Sequence, residues 1–236
     1  MARPDGYTIG FVNLPTLCSN IVEQLGDYKI DDFVPICNHV NETALVLVAK
    51  TSPFNTLGEL VAFAKENPGK LKASTNGMKA SNHIGAELLA KSAGFTYSPI
   101  PYGGTADQLL ALRQGEVDFS VAKEADIASM MSEVKILGAF SETRIDTLPD
   151  VPTLRELGYY DKWYGSARAI VAPKGTPADV IAFYEEAFKK AMEDPEYIAA
   201  AEKAGVTTLY MNAEDTGKMI QQQYEFCTDE VAKLWE

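Results

Sequence analysis

Ser74, Thr75, Asn76, Gly77, Met78 and Ser81 fall within STNGMKASNH, residues 74 to 83, between a short β-rich run and a helical pattern. Small side chains there leave backbone N–H groups accessible, and hydroxyls and amides add further donors. The helix starting near Ser81 or Asn82 turns its positive end toward the same spot. Those features suit a carboxylate or a phosphate. A polar surface loop with a good helix cap has the same composition, so the stretch alone leaves both readings open. A second junction, IPYGGTADQLL, sets Tyr102, Gly103, Gly104 and Thr105 between a strand pattern and a helix pattern. Its glycines permit close backbone approach, while Thr105 either caps the helix or faces a ligand. Loops at the carboxyl ends of strands gather at the ligand crevice of an open α/β sheet. Two such junctions in one half of the chain point to a ligand carrying at least one carboxylate.

Catalytic chemistry finds little support. The chain has no G-x-G-x-x-G after a strand, no G-x-x-x-x-G-K-[ST] and no G-x-S-x-G. Its only histidines are His39 and His83, and neither has a nucleophile context. His83 and Glu87 stand four apart on a helical pattern. They form either half of a metal site, which would need a third ligand, or a pair on a helix surface, the reading preferred here. Asp31-Asp32 and Glu185-Glu186 read as solvated charges. Cys18, Cys37 and Cys227 have neither metal-type spacing nor a disulfide framework and are expected as small core residues. No catalytic residue, metal or cofactor is therefore expected.

Thirty-three acidic against 21 basic residues give a formal charge of −12, which argues against a cationic nucleic-acid surface. It leaves room for an anionic ligand, since a pocket answers to local donors. An apolar fraction of 46 % over 236 residues supports a sizeable core. No apolar run has the length of a membrane helix, and MARPDGYT lacks the apolar core of a signal peptide.

The elements that must position the two junctions alternate. GYTIGFV, ALVLVAK, LKAST, YSPIPY, EVDFSVA, EVKILGAF and RAIVAP read as strands. Between them TLGELVAFAKENPG, NHIGAELLAKSAG and ADQLLALRQG read as helices, the first opened by a Thr56/Glu59 capping box and stopped by Asn67-Pro68-Gly69. Thr153 and Glu156 repeat that spacing. The order predicts an α/β architecture with largely parallel strands. Three helices then follow: one with Thr176 as N-cap and Pro177 first, one opened by Asp194 and Pro195, and NAEDTGKMIQQQYEFCTDEVAKLWE.

In this order, PDGYTI, FNTLGELVAFAKENPGKL, the Ser/Asn/Gly loop with NHIGAELLAKSAG, IPYGGTADQLLALRQGEVD, LPDVPTLRELG, WYGSARAIVAPKGTP and DPEYIAAAEKAG resemble the substrate-binding proteins of tripartite tricarboxylate transporters, also called the Bug family. The resemblance covers nearly the whole chain. It implies a two-lobed fold of the periplasmic binding-protein type, a type II Venus flytrap, with residues 1–42 and 166–236 in lobe 1 and residues 43–165 in lobe 2. It implies a periplasmic or membrane-associated extracellular receptor that captures a small carboxylate in the cleft, without catalysis, and passes it to membrane permease subunits. Ligand contacts are expected from Asn13 and Thr16, from Ser74, Thr75, Asn76, Gly77, Met78 and Ser81, and from Tyr102, Gly104 and Thr105. Trp163 and Tyr164 either wall the cleft or pack at a hinge. A receptor for a two-component sensor, or an α/β enzyme of an acidic metabolite, are the alternatives.

Two departures qualify the resemblance. Where many members carry an aspartate soon after G-x-V-D, the run here is GEVDFSVAKE, with Ala122 and Lys123 at that place. Lys123 then favours a purely anionic ligand, unless it extends into solvent. The family's opening strand, ligand loop and helix have no counterpart before PDGYT, so lobe 1 is expected to be incomplete. The chain alone is then expected to bind solute weakly and to self-associate through the unpaired sheet edge.

Overall fold

The computed structural model describes residues 2–235. The chain divides into two compact units, residues 1–42 with 166–236, and residues 43–165. Its strands are β1 (Gly10–Leu14), β2 (Phe33–Ala49), β3 (Lys72–Thr75), β4 (Ser98–Pro101), β5 (Phe119–Lys123), β6 (Val134–Ala139), β7 (Gly165–Pro173) and β8 (Thr208–Met211). Its α-helices are α1 (Thr16–Val22), α2 (Leu57–Glu66), α3 (Ser81–Ala93), α4 (Thr105–Gln114), α5 (Glu124–Ile127), α6 (Ala178–Met192), α7 (Pro195–Lys203) and α8 (Ala213–Phe226). None is long and apolar enough to cross a membrane, among the described residues.

In the continuous unit the strand order is β6-β2-β5-β3-β4. β3 pairs parallel with β4 on one side and β5 on the other, because α3 and α4 carry the chain back between them. β2 runs antiparallel to both β5 and β6. The expectation of largely parallel strands is thus corrected: only the β5-β3-β4 block, joined by crossover helices, is parallel. Leu45, Val46, Leu47 and Val48 of β2 are all fully buried. That is why ALVLVAK shows no alternation: both sheet faces are covered. Leu109 and Leu112 of α4 pack with Leu45, Leu47, Val117, Ala122 and Ile127 into one core cluster. The Thr56/Glu59 capping box forms as expected, with Glu59 N–H donating to Thr56 Oγ1 at 3.2 Å.

α3 lies unusually close to the sheet. A Cβ on Gly85 would stand 2.8 Å from Val121 Cγ1 and 3.1 Å from a Tyr164 ring carbon, so the first turns of α3 reach β5 only because residue 85 is glycine. The same Tyr164 donates its hydroxyl to the Ser81 carbonyl at 2.5 Å and fixes the start of the helix.

In the discontinuous unit β1 pairs antiparallel with β7, and β8 pairs antiparallel with β2. Ile36, Cys37, Ile170 and Ala172 form the core, against which Ile181, Tyr184 and Phe188 of α6 pack at helical spacing. β8 carried no signal strong enough to be expected from sequence. Three further differences are local. Thr176 is not the cap of α6, because its hydroxyl donates to the Pro173 carbonyl at 2.8 Å and Pro177 takes the cap position. Thr153 and Glu156 make both reciprocal bonds of a capping box, at 3.0 and 2.9 Å, but on a turn that no α-helix follows. The last predicted helix keeps α-geometry only to Phe226, then widens into a π turn over Cys227–Val231.

Candidate functional site

β3 and β5 are adjacent parallel strands whose outgoing connections leave in opposite directions, through α3 to β4 and through α5 to β6. A crevice opens at the carboxyl ends of such a strand pair. Ser74 and Thr75 end β3, Lys123 ends β5, and Ser74 stands in register with Ser120. On the other side Thr75 is level with Pro101, so Tyr102 to Thr105 leave the sheet beside the Ser/Asn/Gly loop. The Tyr102 N–H donates to the Thr75 carbonyl at 2.9 Å and ties the two loops together.

Lys123 is 3 % exposed, which overturns the reading that it extends into solvent. Its ammonium donates to Ser81 Oγ at 3.0 Å and to Asn82 Oδ1, both in the first turn of α3. Asn82 in turn donates from Nδ2 to Gln108 Oε1 at 2.9 Å. Gln108 Nε2 donates to Ser120 Oγ at 2.5 Å and to the Val121 carbonyl at 2.8 Å. This chain links the first turn of α3, the first turn of α4 and three residues of β5, Ser120, Val121 and Lys123. Asn82, Gln108 and Ser120 are at most 1 % exposed. Sequence reasoning named none of them as site residues. The available signal was Gln108 itself, an amide one helical turn before Leu112 on the buried face of α4. The hydroxyl of Ser74, fully buried, has no hydrogen-bond partner among the described residues.

The loop between β3 and α3 has a fixed shape. Gly77 takes φ +121°, a region that favours glycine, and Lys79 sits in the left-handed region at +61°. Asn76 Oδ1 accepts from the Asn82 N–H at 3.3 Å, and Thr75 Oγ1 donates to the Gly77 carbonyl at 3.4 Å. The Lys79 N–H donates to His83 Nδ1 at 2.8 Å, which leaves Nε2 as the protonated nitrogen of the neutral ring. That nitrogen lies 3.4 Å from Glu87, whose carboxylate also accepts from the Tyr97 hydroxyl at 2.9 Å. His83 is therefore buried, not half of a helix-surface pair as expected, because α3 presses this face onto the sheet. Burial, then the charge and hydrogen bond of Glu87, push the Tyr97 phenol up and keep it neutral.

The remaining candidates separate. Gly104 caps α4 with extended backbone, and Thr105 is its first residue, without a side-chain cap bond. Met78 is 56 % exposed. The Tyr102 phenol turns to Glu116, beyond the far end of α4, at 3.3 Å. Trp163 Nε1 donates to Thr43 Oγ1 at 3.1 Å. Asn13 and Thr16 belong to the other unit, Asn13 exposed on β1 opposite Arg168 and Thr16 opening α1. Arg168 pairs there with Glu42, which is 2 % exposed and whose second oxygen lacks a partner among the described residues. His39 lies 3.2 Å from the Tyr197 hydroxyl and edge-on to Phe11, and burial, then the Arg168 charge, hold its pKa below the usual 6.5.

Known proteins agree with this architecture. The family model described as tripartite tricarboxylate transporter family receptor, TctC, matches residues 1–231. A UPF0065 protein from the gbd 5′ region of Cupriavidus necator is 33 % identical over 232 residues, covering 98 % of this chain and 68 % of that protein. The periplasmic binding protein BugD superposes with a TM-score of 0.81 at 26 % identity, over 99 % of this chain and 80 % of its own. MatC from Rhodopseudomonas palustris with bound malate shares the fold with a TM-score of 0.82 at 22 % identity, over 97 % of this chain and 80 % of its own. The chain belongs to the receptor family of the tripartite tricarboxylate transporters, a family of periplasmic solute-binding proteins with a two-lobed α/β fold.

Proposed function

We propose that this chain binds a small carboxylate at the carboxyl ends of β3, β4 and β5 and delivers it, chemically unchanged, to the membrane subunits of a tripartite transporter. The buried Lys123 ammonium at the β3/β5 switch point carries this reading: a cation held in low dielectric beside two helix N-termini favours an anion. Ser74, Thr75, Asn76, Gly77 and Ser81 supply small donors on one side, and Gly104 and Thr105 leave room for close approach on the other. Hydroxyls, amides and one ammonium orient a carboxylate, and no acid–base pair stands among them to break a bond. Malate in a protein of the same fold supports the ligand class. Lys123, where an aspartate would receive an ammonium group, supports an organic acid over an amino acid.

The test is calorimetry and thermal shift of the chain with mono-, di- and tricarboxylates at millimolar concentration, with the corresponding amides and amino acids beside them. Acids should bind and amides should not. Lys123→Met should weaken acid binding about 10- to 100-fold, the worth of one charge-assisted hydrogen bond, and Lys123→Arg should recover part of it. Equal binding of acid and amide, or a Lys123→Met variant that folds and binds like wild type, would overturn the reading.

A further inference from the structure

We propose that Cys18 and Cys227 are the two halves of a disulfide that staples α1 to the π turn following α8. The two thiols reach into each other's element. Cys18 Sγ donates to the Ile220 carbonyl of α8 at 3.9 Å, and Cys227 Sγ donates to the carbonyl of Pro15, the residue that caps α1, at 3.7 Å. Both side chains are fully buried. Cys37 packs elsewhere, in the cluster with Ile36, Ile170 and Ala172. Two cysteines some two hundred residues apart in sequence are thus brought to the same α1/α8 junction of one unit, while the third is set aside.

The family's receptors are periplasmic, and such compartments oxidise neighbouring thiols. In the reaction each thiol gives up one proton and one electron, and the Sγ–Sγ bond forms. A disulfide-bearing oxidant takes up both electrons and both protons and leaves as two thiols. The neighbouring Cys18 thiol, then burial, push the Cys227 thiol up, so thiolate is scarce in the folded unit. Oxidation therefore belongs to folding, before α1 and the π turn close over the pair. The bond would enclose nearly the whole chain, the long-loop case in which a cross-link most restricts the unfolded state. This chemistry does not depend on the ligand.

The experiment refolds the reduced, denatured chain with oxidised and reduced glutathione, then labels it with maleimide in denaturant. The oxidised chain should lose the mass of two hydrogens and label only at Cys37, and peptide mapping should join the Cys18 and Cys227 peptides. Its Tm should exceed that of the reduced chain by on the order of 10 °C. Cys37→Ser should keep both effects, and Cys227→Ser should lose both. Labelling of all three thiols after oxidative refolding, a bridge that includes Cys37, or disulfide-linked dimers in place of the internal bond would overturn the proposal. The mass and labelling readouts on the unmodified chain need no variant to fold.

Discussion

Replacing Gln108 by leucine tests the buried network more sharply than any change at its rim. The side chain is fully buried and makes three hydrogen bonds, from Nε2 to Ser120 Oγ and to the Val121 carbonyl, and to Oε1 from Asn82. Leucine has nearly the same reach and none of the polar atoms. Ser120 retains a long bond to the Ser74 carbonyl at 3.4 Å, so its hydroxyl is only partly stranded. The Asn82 amide and the Val121 carbonyl lose these partners without gaining access to water. At about 1–3 kcal/mol for each stranded group, the loss is about 2–6 kcal/mol. The added apolar burial returns about 1 kcal/mol. A net cost of about 1–5 kcal/mol, centred near 3, is a large share of a typical domain's stability. Urea unfolding followed by circular dichroism measures it, as a lower midpoint at unchanged slope. A midpoint shift worth less than about 0.5 kcal/mol would refute the claim that these bonds hold the two helix N-termini to β5. Carboxylate affinity should fall with stability, since Asn82 would no longer be anchored to present its oxygen to Lys123.

Two further predictions concern the discontinuous unit. Arg168→Ala strands the buried Glu42 carboxylate and should cost about 3–5 kcal/mol at neutral pH, and adding Glu42→Leu should recover much of that; no recovery in the double variant would mean the pair is not the cause. His39 is held below 6.5 by burial and by Arg168, so the unfolded chain takes up its proton first as pH falls. Its contribution is complete above 6.5 and is lost as pH drops through the folded value. Stability should therefore decline from pH 7 toward 5, and His39→Asn should flatten that slope in parallel urea titrations; an unchanged slope would assign the decline to other groups.

The sequence announced elements more reliably than their directions. Thr56 with Glu59, and Asp194 with Pro195, open helices as expected, because these signals act within one turn of chain. Strand direction depends on which strands end up as neighbours. Nothing local in ALVLVAK says that it lies antiparallel between β5 and β6. The Thr153/Glu156 box shows the limit of local signals: its bonds form, yet the following residues, ending in Gly158 at φ +74°, turn away. At the site, the two loops were visible as small polar residues at strand ends. The network beneath them was not, because Asn82, Gln108 and Ser120 meet across two helices and a strand. The burial of Lys123 follows from that meeting, which no spacing in the sequence encodes.

The division of the chain also sets an order of events during synthesis. Residues 43–165 form one unbroken stretch, so every partner in that unit has been made once the ribosome passes Gly165. β1 and β2 both pair with β7, and the first part of β2 also pairs with β8, strands that emerge more than a hundred residues later. When that block is finished, β1 and the first part of β2 still lack their β7 and β8 partners. Those strands, β1 and the first part of β2, are where a chaperone would have work to do, and where a stalled chain would begin to aggregate.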